Sequence, residues 1–338
     1  MKIKEVLPEE PWEEFLLDQT HTPFLQSYAW GEFQENLGLS HRRFGIYQKG
    51  NLVGVCLALV GWRKLGSFVY VPHGPVFSVL EKGKARTVFR YLKDFSRKER
   101  VDYLRVEPGW DPKPEIKALF SKEGFKKSKT ATIQAGGRTL LLDLRRNEDE
   151  LLAGLRKTTR YLVRKGRELG VEVERTSNPK KMAQFHRLME VTHRRQGFTP
   201  HERKYLQVQF ETLAPRRMAE LSLARYRGDI LAAAVTFSYG DTTSYIHGAS
   251  VKTDVPASYT LLWEAILEAK RDKRSYFDFW GIAPEGADES HPWYGYTLFK
   301  KGFGGQPIDY IGAWDYAISP RYLAVSAVER VRGLIRGL

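Results

Sequence analysis

Two lysines stand among aromatic rings in the stretch WYGYTLFKKGFGG, which covers residues 293 to 305 and closes with glycines. Cations suit the last turn of a helix, and this structural role accounts for Lys301. Lys300 differs, because its position next to Phe299 predicts that it is partly removed from water and that its charge acts strongly. Such a cation suits the oxyanion that develops during acyl transfer, so Lys300 is the candidate catalytic residue.

The same stretch predicts the helix that carries Lys300. Ser290 can cap a helix that starts near Pro292, since proline is tolerated in the first turn. Gly302 would then end the helix. Lys300 is therefore expected in the last turn, beneath the aromatic rings that precede it.

Signals for other catalytic classes are absent from the sequence. It contains no HExxH, CxxC, Walker A or G-x-S-x-G motif. His186 and His193 are seven residues apart without an acidic or cysteine partner at ligand spacing, so we expect no metal and no cofactor. The single cysteine, Cys56, lies in an apolar run and is expected to be a buried strand residue.

The elements that must position these residues occur twice along the chain. A hairpin (46–59 and 225–238), a His-Gly strand end, a helix, a strand (102–108 and 276–282) and a final LF…GF segment recur in one order. Their separation stays at roughly 175 to 180 residues, which indicates an internal repeat. In this repeat Lys300 takes the place of Ser121. We expect residues 138–144 to close the first half and residues 308–318 to close the second.

This succession resembles a duplicated GNAT acyltransferase fold. The resemblance implies a mixed α/β (α+β) protein with two tandem GNAT-like domains, residues 1–144 plus 319–338 and residues 145–318. The second domain carries Lys300, and no heptad stretch indicates a coiled-coil arm. GNAT enzymes hold acetyl-CoA with an R/Q-x-x-G-x-G/A turn that opens a helix, and neither half shows one at that place. The usual acyl donor therefore has no obvious site.

Positive charge dominates the chain, with a net charge of +14 and a pI of about 9.6. This excess favours a polyanionic partner: nucleic acid, a phosphate-bearing substrate or an anionic membrane surface. Residues 147–170 predict one long helix that ends at Gly170, with a leucine face of Leu151, Leu155, Leu162 and Leu169. Its separate basic stripe suits phosphates, although a solvated face would look the same; the stripe consists of Arg156, Arg160, Arg164 and Arg167.

The two ends of the chain also bear on location. The start, MKIKEVLPEEPWEEF, is too acidic and polar for a signal peptide. The longest apolar run, residues 52 to 62, falls short of the about 20 residues that span a bilayer. The C-terminal segment YLAVSAVERVRGLIRGL predicts an amphipathic helix that packs on the protein's own core rather than lying on a membrane. We therefore expect a cytoplasmic protein.

Several segments together resemble a known family: FDFWGI…HPWYGYTLFKKGFGG…YIGAWD, LRKTTRYLVRKGRELGVEV, LQSYAW and YVPHGPV. They resemble the Fem aminoacyltransferases of the FemA, FemB, FemX and MurM type, in the compact FemX-like form. The resemblance covers nearly the whole chain. It implies transfer of an amino acid from aminoacyl-tRNA to the stem-peptide amine of a peptidoglycan precursor, either lipid II or UDP-MurNAc-pentapeptide. These are the expected partners of a monomer, with the inner membrane surface as a further one.

The resemblance also implies roles for individual residues. Lys300 would stabilise the tetrahedral oxyanion, and the backbone of Phe299 would orient the incoming amine. The basic stripe could serve tRNA or the diphosphate of the precursor, and a row of four arginines suits a polymer better, so we assign it to tRNA; Arg160, which matches an arginine of the family's motif, is either structural or faces the cleft. The residues implied in contacts with the precursor are Glu107, Tyr103, Arg203, Tyr205, Tyr245, His247 and Arg43.

Some of these assignments have alternatives. Glu107 also fits the role of a plain strand-end residue, and His201 competes with Arg203 and Tyr205. Gln34 stands where compact members carry a phosphate-binding lysine four residues after the tryptophan of a W-x-x-x-K landmark. Arg42 or Arg43 would then bind the precursor's phosphates, or the precursor differs.

Two other functions compete with aminoacyl transfer. One is an N-acyltransferase that uses another acyl donor in envelope polysaccharide or lipid synthesis. The other is a nucleic-acid-binding protein without catalysis. No nucleic-acid-binding motif is present, and mere binding does not need a lysine among aromatic rings, so the sequence favours an enzyme. Which amino acid would be transferred is left open.

Overall fold

The computed structural model describes residues 1–5, 7–21, 23–63, 66–128, 137–197 and 199–335. The chain forms two compact units, Met1–Gly137 with Asp309–Leu338 and Arg138–Ile308. Each unit contains one β-sheet with helices packed on it, and each is described by itself below.

Strands and helices alternate along most of the chain. The strands are β1 (Lys2–Glu5), β2 (Ser40–Gln48), β3 (Asn51–Arg63), β4 (Gly66–His73), β5 (Val76–Phe77), β6 (Tyr103–Pro108), β7 (Lys126–Lys127), β8 (Arg138–Asp143), β9 (Glu172–Thr176), β10 (Ala219–Tyr226), β11 (Asp229–Tyr239), β12 (Thr242–Ser250), β13 (Tyr276–Gly281), β14 (Gln306–Asp309) and β15 (Trp314–Ala317). The helices are α1 (Glu9–Leu17), α2 (Tyr28–Asn36), α3 (Lys82–Lys98), α4 (Pro114–Lys122), α5 (Glu148–Gly154), α6 (Lys157–Glu168), α7 (Met182–Gln196), α8 (Arg203–Leu213), α9 (Ala257–Arg271), α10 (Tyr294–Lys301) and α11 (Tyr322–Ile335).

The two sheets repeat one plan, as the internal repeat predicts. The first runs β1-β2-β3-β4-β6-β15-β7, with β5 beside β3, and the second runs β14-β8-β13-β12-β11-β10-β9. In each sheet one parallel pair, β4 with β6 or β12 with β13, is joined through a helix, α3 or α9. A helical crossover between parallel neighbours is the connection expected there.

Both predicted hairpins are confirmed, and each turns through two residues. The turn residues Lys49-Gly50 and Arg227-Gly228 all have positive φ, between 50° and 89°. This is the geometry of a type I′ turn, whose twist matches that of the flanking strands. Asn51 and Asp229 begin the second strand of each hairpin directly after the turn.

The predicted closing strands are wrong, because the structure exchanges them. Residues 138–143 form β8 and pair with β13 in the second sheet, whereas residues 314–317 form β15 and pair with β6 in the first. The units consequently change at 137/138 and 308/309 instead of 144/145 and 318/319. Alternating leucines of β8 pack in the second core, and Trp314 packs in the first. Such alternation predicts which face of a strand is buried but not which sheet it joins.

The predicted helix over residues 147–170 is also wrong in one respect, since it is two helices. A capping box of Asn147 and Glu150 begins α5, and extended backbone at Leu155 and Arg156 separates α5 from α6. The buried face of α6 consists of Thr159, Val163 and Gly166, whereas Leu169 is exposed. Gly166 packs so closely on α9 that a Cβ there would lie 2.0 Å from the Thr260 hydroxyl oxygen.

Two further expectations concern the first unit. Cys56 is a fully buried residue of β3, as predicted, and burial raises the pKa of its thiol. Helix α11 packs on its own unit through buried Val325, and Glu329 forms an ion pair with Arg105 across 3.0 Å.

Within the part of the chain that the structure describes, no helix is long and apolar enough to cross a membrane.

Candidate active site

Helix α10 carries Lys300 and lies in the second unit. It begins at Tyr294, later than predicted, because Ser290 does not cap it and bonds instead to the Asp288 carboxylate. Gly302 ends the helix as predicted, with a helical φ of −62°. A Cβ at this position would lie 2.4 Å from the Thr159 hydroxyl oxygen, so the close approach of α6 favours glycine here.

The side chain of Lys300 is buried, with 1% of its surface exposed. Its Nζ donates hydrogen bonds to the carbonyl oxygens of Gly281 at 2.7 Å and Trp280 at 3.4 Å. The ring of Tyr296, one helical turn earlier, covers the same Nζ at 3.8 Å from its centroid. Burial lowers the pKa of Lys300 well below its ordinary value, and the negative charge of Asp278 opposes this shift.

These carbonyl groups are available because β13 contains a bulge. Asp278 pairs with Leu141 of β8 and Gly281 pairs with Thr139, so two residues of β13 face one residue of β8. Trp280, inside the bulge, has a φ of 64°, which is unusual for a bulky residue. The bulge thus turns the end of β13 toward the lysine.

A buried carboxylate stabilises this bulge. Asp278 accepts a hydrogen bond from the backbone amide of Trp280 at 2.8 Å and another from the hydroxyl of Thr139. Desolvation raises the pKa of Asp278, while these hydrogen bonds and the charge of Lys300 lower it. Sequence reasoning missed both Asp278 and Thr139. The signal was present, because Asp278 is an acidic residue inside the apolar run YFDFWGI.

The two neighbours of Lys300 have different surroundings. Phe299 packs on Tyr259 and Phe303, with ring centroids 5.1 Å and 5.3 Å away. It thereby anchors α10 to the second core. Lys301 is exposed, as its structural role predicts.

A second group of predicted residues lies on β12 and around α8. His201 stacks on Tyr205 at 4.6 Å and meets the ring of His247 edge-on at 5.8 Å. The Nε2 atom of His247 lies 2.9 Å from the Gln209 side-chain oxygen, and burial lowers the pKa of His247 to about 3, so this imidazole is neutral at neutral pH. Arg203 is exposed at the start of α8. The structure therefore brings His201, Tyr205 and His247 together.

Tyr245, also on β12, is buried, and burial raises the pKa of its phenol. It lies close enough to Tyr296 to act on that side chain electrostatically. Its hydroxyl occupies the space next to Gly248, where a Cβ would lie only 1.8 Å from it. Among the predicted precursor contacts, Tyr245 is thus the residue that acts electrostatically on the ring covering Lys300.

The other predicted contacts lie in the first unit. Glu107, at the end of β6, is buried and accepts a hydrogen bond from the Tyr70 hydroxyl at 2.5 Å. The Tyr103 hydroxyl, on the same strand, donates to Glu329 of α11 at 3.1 Å. This bond places Tyr103 in the packing of the C-terminal helix, which the sequence did not indicate.

Arg43 lines a cavity of about 360 Å³ in the first unit, together with Tyr28 and Arg42. Its guanidinium lies 3.4 Å above the Tyr28 ring and donates to the Tyr28 carbonyl oxygen at 2.7 Å. Arg42 pairs with Glu5 across 3.0 Å, and Gln34 is buried. Arg43 is therefore the predicted phosphate contact with a cavity beside it.

The four arginines of the stripe do not lie on one continuous helix, because the helix is interrupted at Leu155 and Arg156. Arg156 donates from its backbone to Gly302 and from its side chain to the Leu298 carbonyl at 2.8 Å, so it holds the end of α10. Arg160 donates to the Ala153 carbonyl, and Arg167 pairs with Glu264. Arg164 is exposed and has no hydrogen bond or ion pair to any described residue.

Metal binding has no structural support in the described ranges, where no group of His, Cys, Asp and Glu side chains could hold an ion. The second unit thus contains a buried lysine that donates to backbone oxygens and lies beneath an aromatic ring. A cation of this kind can stabilise negative charge on an acyl oxygen.

The fold defines a tandem GNAT-like protein. A solved structure of FemX covers 97% of this chain and 100% of its own length at a TM-score of 0.86, with 19% sequence identity. A tandem GNAT protein from the clavulanic acid biosynthesis pathway covers 94% of this chain and 99% of its own, at a TM-score of 0.59 and 13% identity. At these identities the likeness shows the fold, and it confirms the predicted fold class.

The chain belongs to the FemAB family, whose matches cover residues 7–230 and 216–330. A curated relative, the lipid II:glycine glycyltransferase of Staphylococcus aureus (strain MRSA252), is 25% identical over 222 residues. The alignment covers 62% of this chain and 52% of the relative, so the chain spans about half the length of the curated relatives it matches. The predicted family is thereby confirmed.

Proposed function

We propose that this protein transfers an amino acid from aminoacyl-tRNA to the stem-peptide amine of a peptidoglycan precursor, lipid II or UDP-MurNAc-pentapeptide. Such transfer builds the interpeptide bridge. The observation that carries the proposal is the buried Lys300 ammonium, hydrogen-bonded at the bulged end of β13 within a FemAB fold. The glycyltransferase relative, which by its name acts on lipid II, supports a peptidoglycan precursor as acceptor.

The proposed chemistry is aminolysis of an ester. The acceptor amine attacks the carbonyl carbon of the aminoacyl ester, and the carbonyl oxygen becomes an oxyanion. Lys300 donates a hydrogen bond to this oxygen, which strengthens as the negative charge develops. The bond from carbon to the ribose oxygen then breaks and an amide remains. The proton lost by the amine goes to the departing ribose oxygen, so no protein base is required.

Tyr296 must move for this contact to occur. Its ring lies over Nζ at 3.8 Å and leaves Lys300 almost fully buried, whereas Tyr296 itself is 40% exposed. Rotation of an exposed side chain is rapid compared with turnover. We infer that the entering acyl group displaces the Tyr296 ring and occupies its place over the ammonium.

The remaining predicted contacts stay proposals that complete this function. Near α8, Arg203 and the stacked Tyr205 are assigned to the precursor's phosphates and sugar, with Tyr245 and His247 beside them. In the first unit, Arg43 is assigned to phosphate, and Glu107 and Tyr103 to the peptide. For tRNA we retain Arg164, because it is exposed and makes no bond to a described residue.

A transfer assay tests the proposal directly. The protein is incubated with mixed, labelled aminoacyl-tRNA and with each precursor in turn, and the product is identified by mass spectrometry. We expect one amino acid to be added to the stem peptide, and ribonuclease treatment of the donor to abolish the product. Product formed from acetyl-CoA alone, or product that survives ribonuclease, would contradict the proposal and favour an N-acyltransferase with another donor.

A further inference from the structure

Asp278 is a buried carboxyl in the middle of an apolar strand. It is 7% exposed, and its neighbours in β13, Phe277 and Phe279, are fully buried. A carboxylate in such surroundings loses its hydration, which is costly unless hydrogen bonds and an opposite charge compensate it. The groups that compensate Asp278 therefore indicate what the carboxylate does.

The hydrogen bonds around Asp278 and Lys300 fit a charged pair. Asp278 accepts from the Thr139 hydroxyl and from the Trp280 amide. Lys300 donates to the carbonyl oxygens of Gly281 and Trp280. Asp278 acts here as an acceptor and Lys300 as a donor, which are the roles of a carboxylate and an ammonium. Burial favours the neutral form of both groups, and the charge of each favours ionisation of the other.

Asp278 also holds the backbone that Lys300 touches. It is the last residue of β13 that pairs with β8 before the bulge, and Trp280 inside the bulge has the unusual φ of 64°. The bond from the Trp280 amide to the carboxylate stabilises this conformation, and the carbonyl groups of Trp280 and Gly281 lie on Lys300 as a result. One carboxylate thus serves both the charge and the position of the lysine.

We propose that Asp278 is a positioning residue for Lys300, which maintains the bulge beneath the ammonium and supplies the negative charge that keeps the lysine protonated. The proposal rests on the proposed function, in which Lys300 works as a cation. Asp278 itself does not touch the substrate in this scheme. Thr139 supports this role of Asp278, because the hydrogen bond from its hydroxyl favours the ionised form of the carboxyl.

The other groups around Lys300 do not supply a negative charge. Tyr296, on α10, presents its ring to the ammonium, and Tyr245 of β12 lies beside Tyr296. Burial raises the pKa of Tyr245, so that phenol is neutral near neutral pH. Among the described residues, Asp278 is the charged group that acts on the pKa of Lys300.

The pH profile of transfer gives the first test. Asp278→Asn removes the charge but keeps a side-chain oxygen for the Trp280 amide. Loss of the negative charge makes Lys300 lose its proton at lower pH, so the alkaline limb of kcat should move to lower pH by about one unit, a tenfold change in the protonation equilibrium. Asp229→Asn, in an exposed hairpin of the same unit, is the matched control and should not move the limb. An unmoved limb in Asp278→Asn would overturn the proposal.

A second test needs no substrate and so separates this inference from the proposed function. Lysine labelled with ¹³C at Cε is titrated by NMR, and the Lys300 signal is assigned by its absence in Lys300→Met. We expect its midpoint to fall in Asp278→Asn relative to the wild type. An equal or higher midpoint would refute the role of Asp278. A lowered midpoint in a protein that transfers no amino acid would leave this inference standing and remove the proposed function.

Thr139 provides a variant in case Asp278→Asn does not fold. Thr139→Val has the same shape but lacks the hydroxyl, so Asp278 is less readily ionised and the Lys300 midpoint should fall by a smaller amount. Thr139→Ser keeps the hydroxyl and should behave as the wild type. If the valine and serine variants titrate alike, the coupling of Thr139, Asp278 and Lys300 is contradicted.

Discussion

Ser121 and Lys300 correspond in the internal repeat, yet their surroundings are opposite. Ser121 is exposed on α4 and donates to the Lys117 carbonyl at 3.1 Å, within its own helix. Lys300 is buried on α10 and donates outside its helix, to the end of β13. The strands that precede these two helices also differ. Strand β6, before α4, pairs with β15 in continuous register, whereas β13, before α10, has a bulge against β8.

The first unit also contains a buried acid and a nearby lysine, but in a different arrangement. Glu107 is buried at the end of β6, and Lys127 on β7 donates to the Ile311 carbonyl. Partial burial lowers the pKa of Lys127, and the charge of Glu107 opposes this shift. Lys127 lies on a strand, however, and α4 carries no lysine at the equivalent of position 300. The comparison shows that the repeat supplies a common framework, and that the second unit differs in the bulge of β13 and in a buried lysine on α10 that donates to the bulged strand.

Among the substitutions that test this comparison, replacement of Lys300 should change the turnover rate most. Lys300→Met removes the cation and keeps an apolar side chain of similar length, so the fold and precursor binding should persist. Turnover should fall by on the order of 10²–10³, the usual effect of removing one oxyanion stabiliser. Steady-state kinetics and precursor binding measure both parts.

Lys301→Met is the matched control, because Lys301 is exposed one residue away. It should cost far less than Lys300→Met. Equal losses in the two variants would mean that general positive charge, and not the buried position, matters. Ser121→Met in the first unit should leave turnover unchanged.

The second expected effect is a pH dependence that an exposed lysine would not show. Burial lowers the pKa of Lys300 well below 10.5, and in the proposed function only the protonated form brings a positive charge to the oxyanion. Transfer should therefore decline as pH rises through this lowered pKa, tenfold for each further pH unit. A pH–rate profile with a donor concentration corrected for ester hydrolysis measures it. A rate that stays level up to pH 10 would show that Lys300 is not titrating in the expected range.

The third prediction compares the glycines that follow the two corresponding helices. Gly302 has a helical φ but lies against Thr159, whereas Gly124 has a φ of 82°, and a Cβ there would lie 3.2 Å from the Tyr316 ring. Gly302→Ala should cost about 1–3 kcal/mol through overpacking, and adding Thr159→Ala should recover part of it. Gly124→Ala should cost about 1–2 kcal/mol through its backbone, and no neighbour substitution should relieve it. Chemical denaturation of the single and double variants measures these values.

The smallest expected effect concerns the exposed arginine. Arg164→Glu should weaken tRNA binding and flatten its salt dependence, because fewer counterions are released. Lys98→Glu, an exposed residue on α3 of the first unit, carries the same charge change and should alter both quantities less. Binding is measured at several salt concentrations. If the two variants have the same slope, Arg164 belongs to a solvated face and tRNA binds elsewhere.

Local sequence patterns predicted much of the fold. The hairpins at Gly50 and Gly228, the crossover helices and the repeated order follow from turn residues and hydrophobic periodicity, which act over a few neighbouring residues. The burial of Lys300 was also indicated, since rings at positions 293 to 299 surround it along the chain. Phe299 and the exposed Lys301 agree with this local pattern.

Other features depend on contacts between segments far apart in the chain. Helical periodicity runs through residues 147–170, but Arg156 bonds to Gly302 and Leu298, and the helix breaks there. Likewise, the alternation in β8 and β15 was visible, whereas their exchange between the two sheets was not. A strand pattern specifies a buried face, and only long-range packing selects the partner strand.

Lys300 illustrates both sides of this division. The residue types of α10 place a cation under aromatic rings, because positions one helical turn apart share a face. The pairing of β8 with β13 determines the other contacts: the bulge in β13, the hydrogen bond from Thr139 to Asp278, and the position of the Trp280 and Gly281 carbonyl groups that accept from Lys300. The β8–β13 pairs and the bond from Thr139 to Asp278 join residues more than 130 positions apart, and local sequence preferences do not reach that far. The hydrogen-bond partners of Lys300 therefore form only when the second sheet is assembled.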